Sequence, residues 1–225
     1  MLSSLINLIF PKVCYTCTTI LKDNEEHLCT LCRHKLPVTN FHKTDDPTVE
    51  KVFYGRAKVE RATALLRFTK KGMVQKLLHQ LKYKGQEDIG IFLGDWLGEE
   101  LKYIAHYNTV DLIIPVPLHK RKKRQRGYNQ VERFGRHLAL ALNTTYCDDV
   151  LLKTTNTSSQ VTKNRFARWN DKTELFTLEN RDKLHNKHVL LVDDIITTGA
   201  TLEACIVELN KAKNVKISIA TMAIA

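Results

Sequence analysis

Asp193 and Asp194 stand side by side at the end of an apolar run, Val189-Leu190-Leu191-Val192. A hydroxyl-rich turn, Thr197-Thr198-Gly199-Ala200-Thr201, follows shortly after. A turn that opens a helix exposes unpaired backbone N–H groups, and the helix dipole adds positive potential, so it attracts a phosphate. The three threonine hydroxyls supply further donors. Gly199 lets the backbone come close to the oxygens or takes a positive φ. Carboxylates repel phosphate but accept hydrogen bonds from sugar hydroxyls. The acid pair therefore suits the vicinal diol of a ribose whose 5-phosphate sits in the turn. An ATPase metal-binding strand would need a Gly-x4-Gly-Lys-Ser/Thr loop upstream, and the sequence has none. A phosphoacceptor receiver strand would need about another domain's length after it, and 31 residues follow Asp194. A helix cap alone needs one threonine, not a cluster.

Cys14, Cys17, Cys29 and Cys32 form a Cys-x2-Cys-x11-Cys-x2-Cys pattern. Two tight turns of this kind complete a tetrahedral thiolate site, and structural Zn²⁺ is the expected ligand. A redox dithiol pair is the alternative. His27 and His34 flank the second pair and could replace a thiol. Cys147 and Cys205 are isolated and are expected to be buried structural thiols.

Residues 116–136 carry eight Lys/Arg against one Glu. Such a run can bind pyrophosphate, bind nucleic acid, or simply be solvated. A nucleic-acid contact would use Lys120, Arg121, Lys122, Lys123, Arg124 and Arg126 on the phosphates, with Tyr128 stacking on a base. Arg133 and Arg136, on the helix that follows, would extend the stripe, and Lys82 and Lys84 are candidates to lie near it.

The elements that must position these groups come from the rest of the chain. Its 225 residues, 43% apolar and 26% charged, suit one domain of moderate size plus a small appendage. The net charge is +11, and residues 1–50 hold five Lys/Arg against six Asp/Glu. The basicity thus belongs to the larger part and makes anionic partners plausible. Residues 1–36 are expected to form a short amphipathic helix, stopped by Pro11, and the four-cysteine module. Residues 37–50 read as a polar linker, and 51–225 as the main domain. There, strands are expected within 51–69 (a pair), 109–117, 149–154, 188–194 and 215–225. Helices are expected at 73–83, 88–107, 129–143 and 201–212. Gly90, Gly94 and Gly98, four residues apart, predict a close helix contact. The alternation predicts an α/β fold with a mostly parallel sheet flanked by helices. Ligands then bind beyond the carboxyl ends of the strands, where the turn after Pro115, the segment after Thr154 and the acid-pair turn would meet. No run is long enough to span a bilayer and no targeting signal is evident, so a cytoplasmic location is expected.

The segment VLLVDDIITTGATL resembles the phosphoribosyl pyrophosphate (PRPP) motif of type I phosphoribosyltransferases. The order of CYTC…CTLC, LKYKG (81–85), PVPLHKRKKRQRGYNQ (115–130) and that motif resembles the ComF family, competence-associated proteins with a zinc ribbon fused to such a domain. The resemblance covers nearly the full chain. It implies that Asp193 and Asp194 bind the ribose hydroxyls and that Thr197, Thr198, Gly199, Ala200 and Thr201 wrap the 5-phosphate. It also implies a pyrophosphate-binding turn at Val116, Pro117 and Leu118, and a mobile loop over the site at 154–170. PRPP with Mg²⁺ would be the ligand. Arg121, Arg124, Arg126, Lys163 and Arg165 are candidates to neutralise the leaving pyrophosphate, Arg121 and Arg126 foremost. The family association with DNA uptake adds single-stranded DNA and other uptake proteins as expected partners. The alternative function is a non-catalytic DNA-binding competence factor that keeps the PRPP site as a sensor or relic.

Overall fold

The structure, a computed structural model, describes residues 11–154 and 175–225. The expected helix within residues 1–10 lies outside them. The four-cysteine module comes first and ends in helix α1 (Thr30–His34). Then follow α2 (Phe41–Thr44), a 3₁₀ turn (Glu50–Phe53) and strand β1 (Ala62–Arg67). Helices α3 (Met73–Tyr83) and α4 (Asp88–Leu101) lead to β2 (Leu112–Pro115). Next come α5 (Lys120–Arg126), α6 (Glu132–Ala141) and β3 (Thr145–Tyr146). The strands β4 (Leu151–Thr154) and β5 (Leu175–Leu178) precede β6 (His188–Ile196), α7 (Ala200–Leu209) and β7 (Lys216–Ile224).

Five strands form a sheet in the order β1-β7-β6-β2-β3, with every pairing parallel. Helices cover both faces, so β6 and β7 are buried nearly throughout. One face packs Leu77, Leu81, Leu93, Leu97, Phe134 and Leu138 of α3, α4 and α6. The other packs Leu202, Ile206 and Leu209 of α7 with Phe41, Val49 and Phe53. The expected mostly parallel α/β architecture is what the chain adopts.

The glycine repeat works as a helix seam. A Cβ at Gly94 would lie 2.7 Å from the Phe134 carbonyl oxygen, and one at Gly98 would lie 2.5 Å from Ala141 Cβ. No larger residue lets α4 and α6 come this close.

Two strand expectations need correcting. Residues 51–69 hold one strand, not two. Phe53 sits in the 3₁₀ turn and is buried against the α7 face. The strand at 149–154 forms, but it pairs antiparallel with β5 in a separate two-stranded sheet, so it does not extend the parallel one. The segment 37–50 packs closely on the main domain. Val38 bridges antiparallel to Leu66, and the Thr39 N–H and Pro37 carbonyl bond to Leu65 and Arg67 of β1. Phe41 and Val49 are buried. The expected loop at 154–170, with Lys163 and Arg165, lies outside the described residues beyond Thr154.

Candidate functional site

β2 and β6 are neighbours, with Pro115 opposite Val192. Their carboxyl ends therefore bring the turn Val116-Pro117-Leu118 beside Asp193 and Asp194. The Val116 N–H donates to the Val192 carbonyl at 2.9 Å, and Asn129 Nδ2 donates to the Val116 carbonyl at 3.1 Å. Beyond the acids, Thr197 and Thr198 are exposed. Gly199 caps α7 at φ +75°. A cavity of about 40 Å³ is lined by Asp193 and the turn from Thr197 to Thr201. Two of the three expected features thus meet in space.

Gly199 is required twice over. Its φ favours glycine, and a Cβ there would lie 2.7 Å from Val52 Cγ1 and 3.2 Å from Phe53 Cε1 of the 3₁₀ turn. Arg56, just after that turn, was not singled out from sequence. Its Nη1 donates to the Thr198 carbonyl at 2.8 Å, and its Nη2 pairs with Glu203 of α7. The turn from Thr197 to Thr201 is therefore braced from outside by Val52, Phe53 and Arg56.

The acid pair is less open than its sequence suggests. Asp193 Oδ1 accepts from the Asp194 backbone N–H at 2.8 Å. The Asp194 side chain is 6% exposed. Lys82 Nζ donates to Asp194 Oδ1 at 2.8 Å, and Gln130 Nε2 donates to Oδ2 at 2.7 Å. Lys82 comes from the last turn of α3 and Gln130 from just before α6. Sequence offered only proximity to the basic run as a signal for Lys82, and none for Gln130.

The basic run is a helix, which the sequence reading did not anticipate. Lys120 to Arg126 form α5, whose start is capped by His119 Nδ1 accepting from the Arg121 N–H at 3.1 Å. None of its residues is buried. Arg121 and Arg124 face solvent, whereas Arg126 donates to Gln130 Oε1 and lies 5.6 Å over the Tyr83 ring. Arg126 is thereby linked through Gln130 to Asp194. The Tyr128 hydroxyl donates to the Leu81 carbonyl, and its half-buried ring packs against the core. Tyr83 is the exposed aromatic here, with the His79 ring 5.0 Å away. Arg133 and Arg136 pair with Glu87 and Glu132, which removes most of their contribution to a stripe.

In the module, the four Sγ atoms of Cys14, Cys17, Cys29 and Cys32 lie within 4.8 Å of one another. Tetrahedral zinc–thiolate bonds place sulfurs about 3.8 Å apart, and Cys17 and Cys29 are at 3.7 Å. The donor set fits zinc. Burial opposes ionisation of Cys14, but hydrogen bonds from Thr16 and nearby backbone bring it to about 6, while burial pushes Cys32 up to about 12. Four thiols this close cannot all ionise without a cation among them. His27 instead stacks on Tyr15, with ring centroids 5.8 Å apart, and faces Phe92 of α4. Cys147 and Cys205 are buried, as expected. A cleft of about 1110 Å³ lies between this module and α4. Several of its acids are engaged, Glu100 by Lys43 and Trp96 and Asp95 by His137.

A model of the phosphoribosyl transferase domain family matches residues 131–224, which include the acid pair and its turn. Competence protein ComFC of Bacillus subtilis is 26% identical over 220 residues, covering 91% of this chain and 81% of that protein. DNA utilization protein YhgH of Escherichia coli O157:H7 is 29% identical over 129 residues, and the chain spans about half of it, 56%. Purine phosphoribosyltransferase from Pyrococcus horikoshii overlaps 62% of this chain and 73% of its own, at 24% identity and a TM-score of 0.39. Over 91% of its length the chain is similar to ComFC, and its four-cysteine cluster stands ahead of the region that matches the phosphoribosyl transferase domain family, so it resembles the ComF proteins.

Proposed function

We propose that the protein binds PRPP with Mg²⁺ at the carboxyl ends of β2 and β6 and acts there as a phosphoribosyltransferase-type enzyme. The observation that carries this is the convergence of an acid pair, a glycine-capped threonine turn and the 116–118 turn on one edge of the sheet. Asp193 and Asp194 take the ribose hydroxyls. Thr197, Thr198 and Thr201, with the first N–H groups of α7, take the 5-phosphate. The 116–118 turn receives the pyrophosphate, and Arg126 and Lys82 are the nearest cations tied to the acids. Carboxylate oxygens are the hard donors that Mg²⁺ accepts; Asp193 and Asp194 would help hold the ion that accompanies PRPP, and it would supply positive charge to the pyrophosphate. In the transfer, the bond from ribose carbon 1 to pyrophosphate breaks with the electron pair leaving on oxygen. The acceptor nucleophile then bonds to that carbon. The protein need form no covalent bond, only stabilise separating charge and exclude water.

Calorimetric titration with PRPP and Mg²⁺ tests the reading. Wild type should bind, and the Asp193→Asn/Asp194→Asn variant should not. Equal binding by both would remove the acid pair from the site. Pyrophosphate release against a panel of acceptors then tests turnover.

A second reading rests on α5, a helix with six cations and no buried residue. It suits single-stranded DNA, with phosphates on Lys120, Arg121, Lys122, Lys123 and Arg124 and a base against Tyr83. The similarity to a competence protein and a DNA utilization protein supports this role alongside other uptake proteins. Charge removal at Arg124 and Arg126 should weaken a mobility shift, and the shift should fall steeply with salt. Structural zinc completes the module. Six cysteines without a disulfide suit a reducing compartment such as the cytoplasm. Among the described residues no helix is long and apolar enough to cross a membrane.

A further inference from the structure

The Asp194 carboxylate joins two places that the preceding readings treat separately. One oxygen holds Lys82 at 2.8 Å and the other holds Gln130 at 2.7 Å. Gln130 uses its remaining polar atom, Oε1, to hold Arg126, the last residue of the basic helix α5. The loop between them is fastened to α3 by the Tyr128 hydroxyl on the Leu81 carbonyl, and Arg126 also lies over Tyr83 of α3. A chain of direct contacts therefore runs from the acid pair, through one amide, to the cationic surface.

The Asp194 side chain is 6% exposed, behind Lys82. A ribose hydroxyl needs to come within about 2.7 Å of a carboxylate oxygen to donate to it. A vicinal diol donates two hydroxyls, and when it takes both oxygens of Asp194 it displaces Lys82 from one and Gln130 from the other. Lys82 has somewhere to go, because an incoming pyrophosphate offers its ammonium a stronger anion. Gln130 is neutral and has no such compensation. Once its amide leaves Asp194, its grip on Arg126 is no longer anchored at the far end.

We propose that Lys82 and Gln130 form a latch on Asp194, and that donor-sugar binding opens it and frees Arg126 to engage single-stranded DNA. The proposal rests on the PRPP-binding reading. Linkage makes the effect reciprocal: if the sugar tightens DNA binding, DNA tightens sugar binding by the same factor.

The test measures the dissociation constant of a fluorescent oligothymidine of about 20 nucleotides, enough to cover a typical single-strand site. Mg²⁺ is held constant, and PRPP is absent or saturating. In wild type, PRPP should tighten the oligonucleotide by about fivefold or more, the low end of ordinary coupling. In Gln130→Ala the oligonucleotide should bind tightly without PRPP, and the ratio should fall toward one. Lys82→Met should raise PRPP affinity only if Lys82 chiefly guards the acid, and lower it if Lys82 passes to the pyrophosphate as proposed. The reciprocal titration, PRPP calorimetry with and without oligonucleotide, needs no variant and covers the case in which one fails to fold. A wild-type ratio of one, or a weakening, while PRPP binds normally overturns the latch and leaves the PRPP site standing. A Gln130→Ala ratio equal to wild type, or an oligonucleotide that does not bind, overturns it too. Absence of PRPP binding to wild type sinks the underlying reading, and the latch with it.

Discussion

Replacing Gly199 by alanine tests how the Thr197–Thr201 turn is built. Two costs add at this position. The first is the backbone cost of a Cβ at φ +75°, about 1–2 kcal/mol. The second is steric, because the added Cβ would lie 2.7 Å from Val52 Cγ1 and 3.2 Å from the Phe53 ring. Phe53 is buried in the core beneath α7 and cannot swing away. Overpacking of this kind costs about 1–3 kcal/mol. Gly85→Ala separates the two terms. Gly85 has nearly the same φ, +70°, and nothing within 4 Å of an added Cβ. It should pay the backbone cost alone. Urea unfolding followed by circular dichroism reads the difference. At a slope of about 2 kcal/mol per molar, Gly199→Ala should unfold about 0.5–1.5 M below Gly85→Ala. Calorimetry should show PRPP binding weakened by Gly199→Ala and nearly unchanged by Gly85→Ala. If the two variants unfold within error of each other, the 3₁₀ turn at Glu50–Phe53 does not brace the site and the argument fails.

Arg56→Ala should loosen the same turn differently. Its pair with Glu203 is partly exposed, so stability should fall by no more than about 1 kcal/mol, while affinity for PRPP drops. A large loss of stability with unchanged affinity would contradict its bracing role. Chelation should release one zinc per chain and expose four thiols to a thiol reagent. It should also shift Trp96 fluorescence, because Arg33 of α1 lies 5.9 Å over that ring. PRPP binding should persist, and parallel loss of both would mean that the module supports the site. Burial lowers the proton affinity of His188, which sits between Thr109 and Ser218 at 2.8 Å each. Below about pH 6.5 the unfolded chain binds a proton that the native form resists. Stability should therefore be full above that pH and decline as pH falls through it. His188→Gln should flatten the decline, and an unchanged slope would assign it to other groups, His42 first, whose proton affinity burial also lowers.

Local pattern carried much of this molecule. The run Val189–Val192 announced a strand covered on both faces, and β6 is one. The spacing of Gly90, Gly94 and Gly98 announced a helix contact, and α6 fills it. Two Cys-x2-Cys turns announced a convergent thiol site. The misses have physical causes. Val52 and Phe53 look like strand residues because they are apolar, but their burial comes from a 3₁₀ turn against Gly199, far away in sequence. The helix α5 was obscured by six like charges, although His119 before it and Gly127 after it, at φ +89°, are cap signals. The Lys82–Asp194 pair spans 112 positions, and no periodicity reports such a contact. The bond from the Tyr128 hydroxyl to the Leu81 carbonyl is likewise beyond the reach of local pattern.

The antiparallel contact of Pro37–Thr39 with β1 has a practical consequence for anyone dissecting the chain. Those few residues act as a hem along the outer rim of the sheet. A fragment begun at residue 51 would lose the hem and bare a row of amides and carbonyls on Ala62–Arg67. Such a rim recruits a strand from another molecule. Cutting just upstream of Pro37 keeps it sewn shut, so that fragment should stay monodisperse where the shorter one clumps.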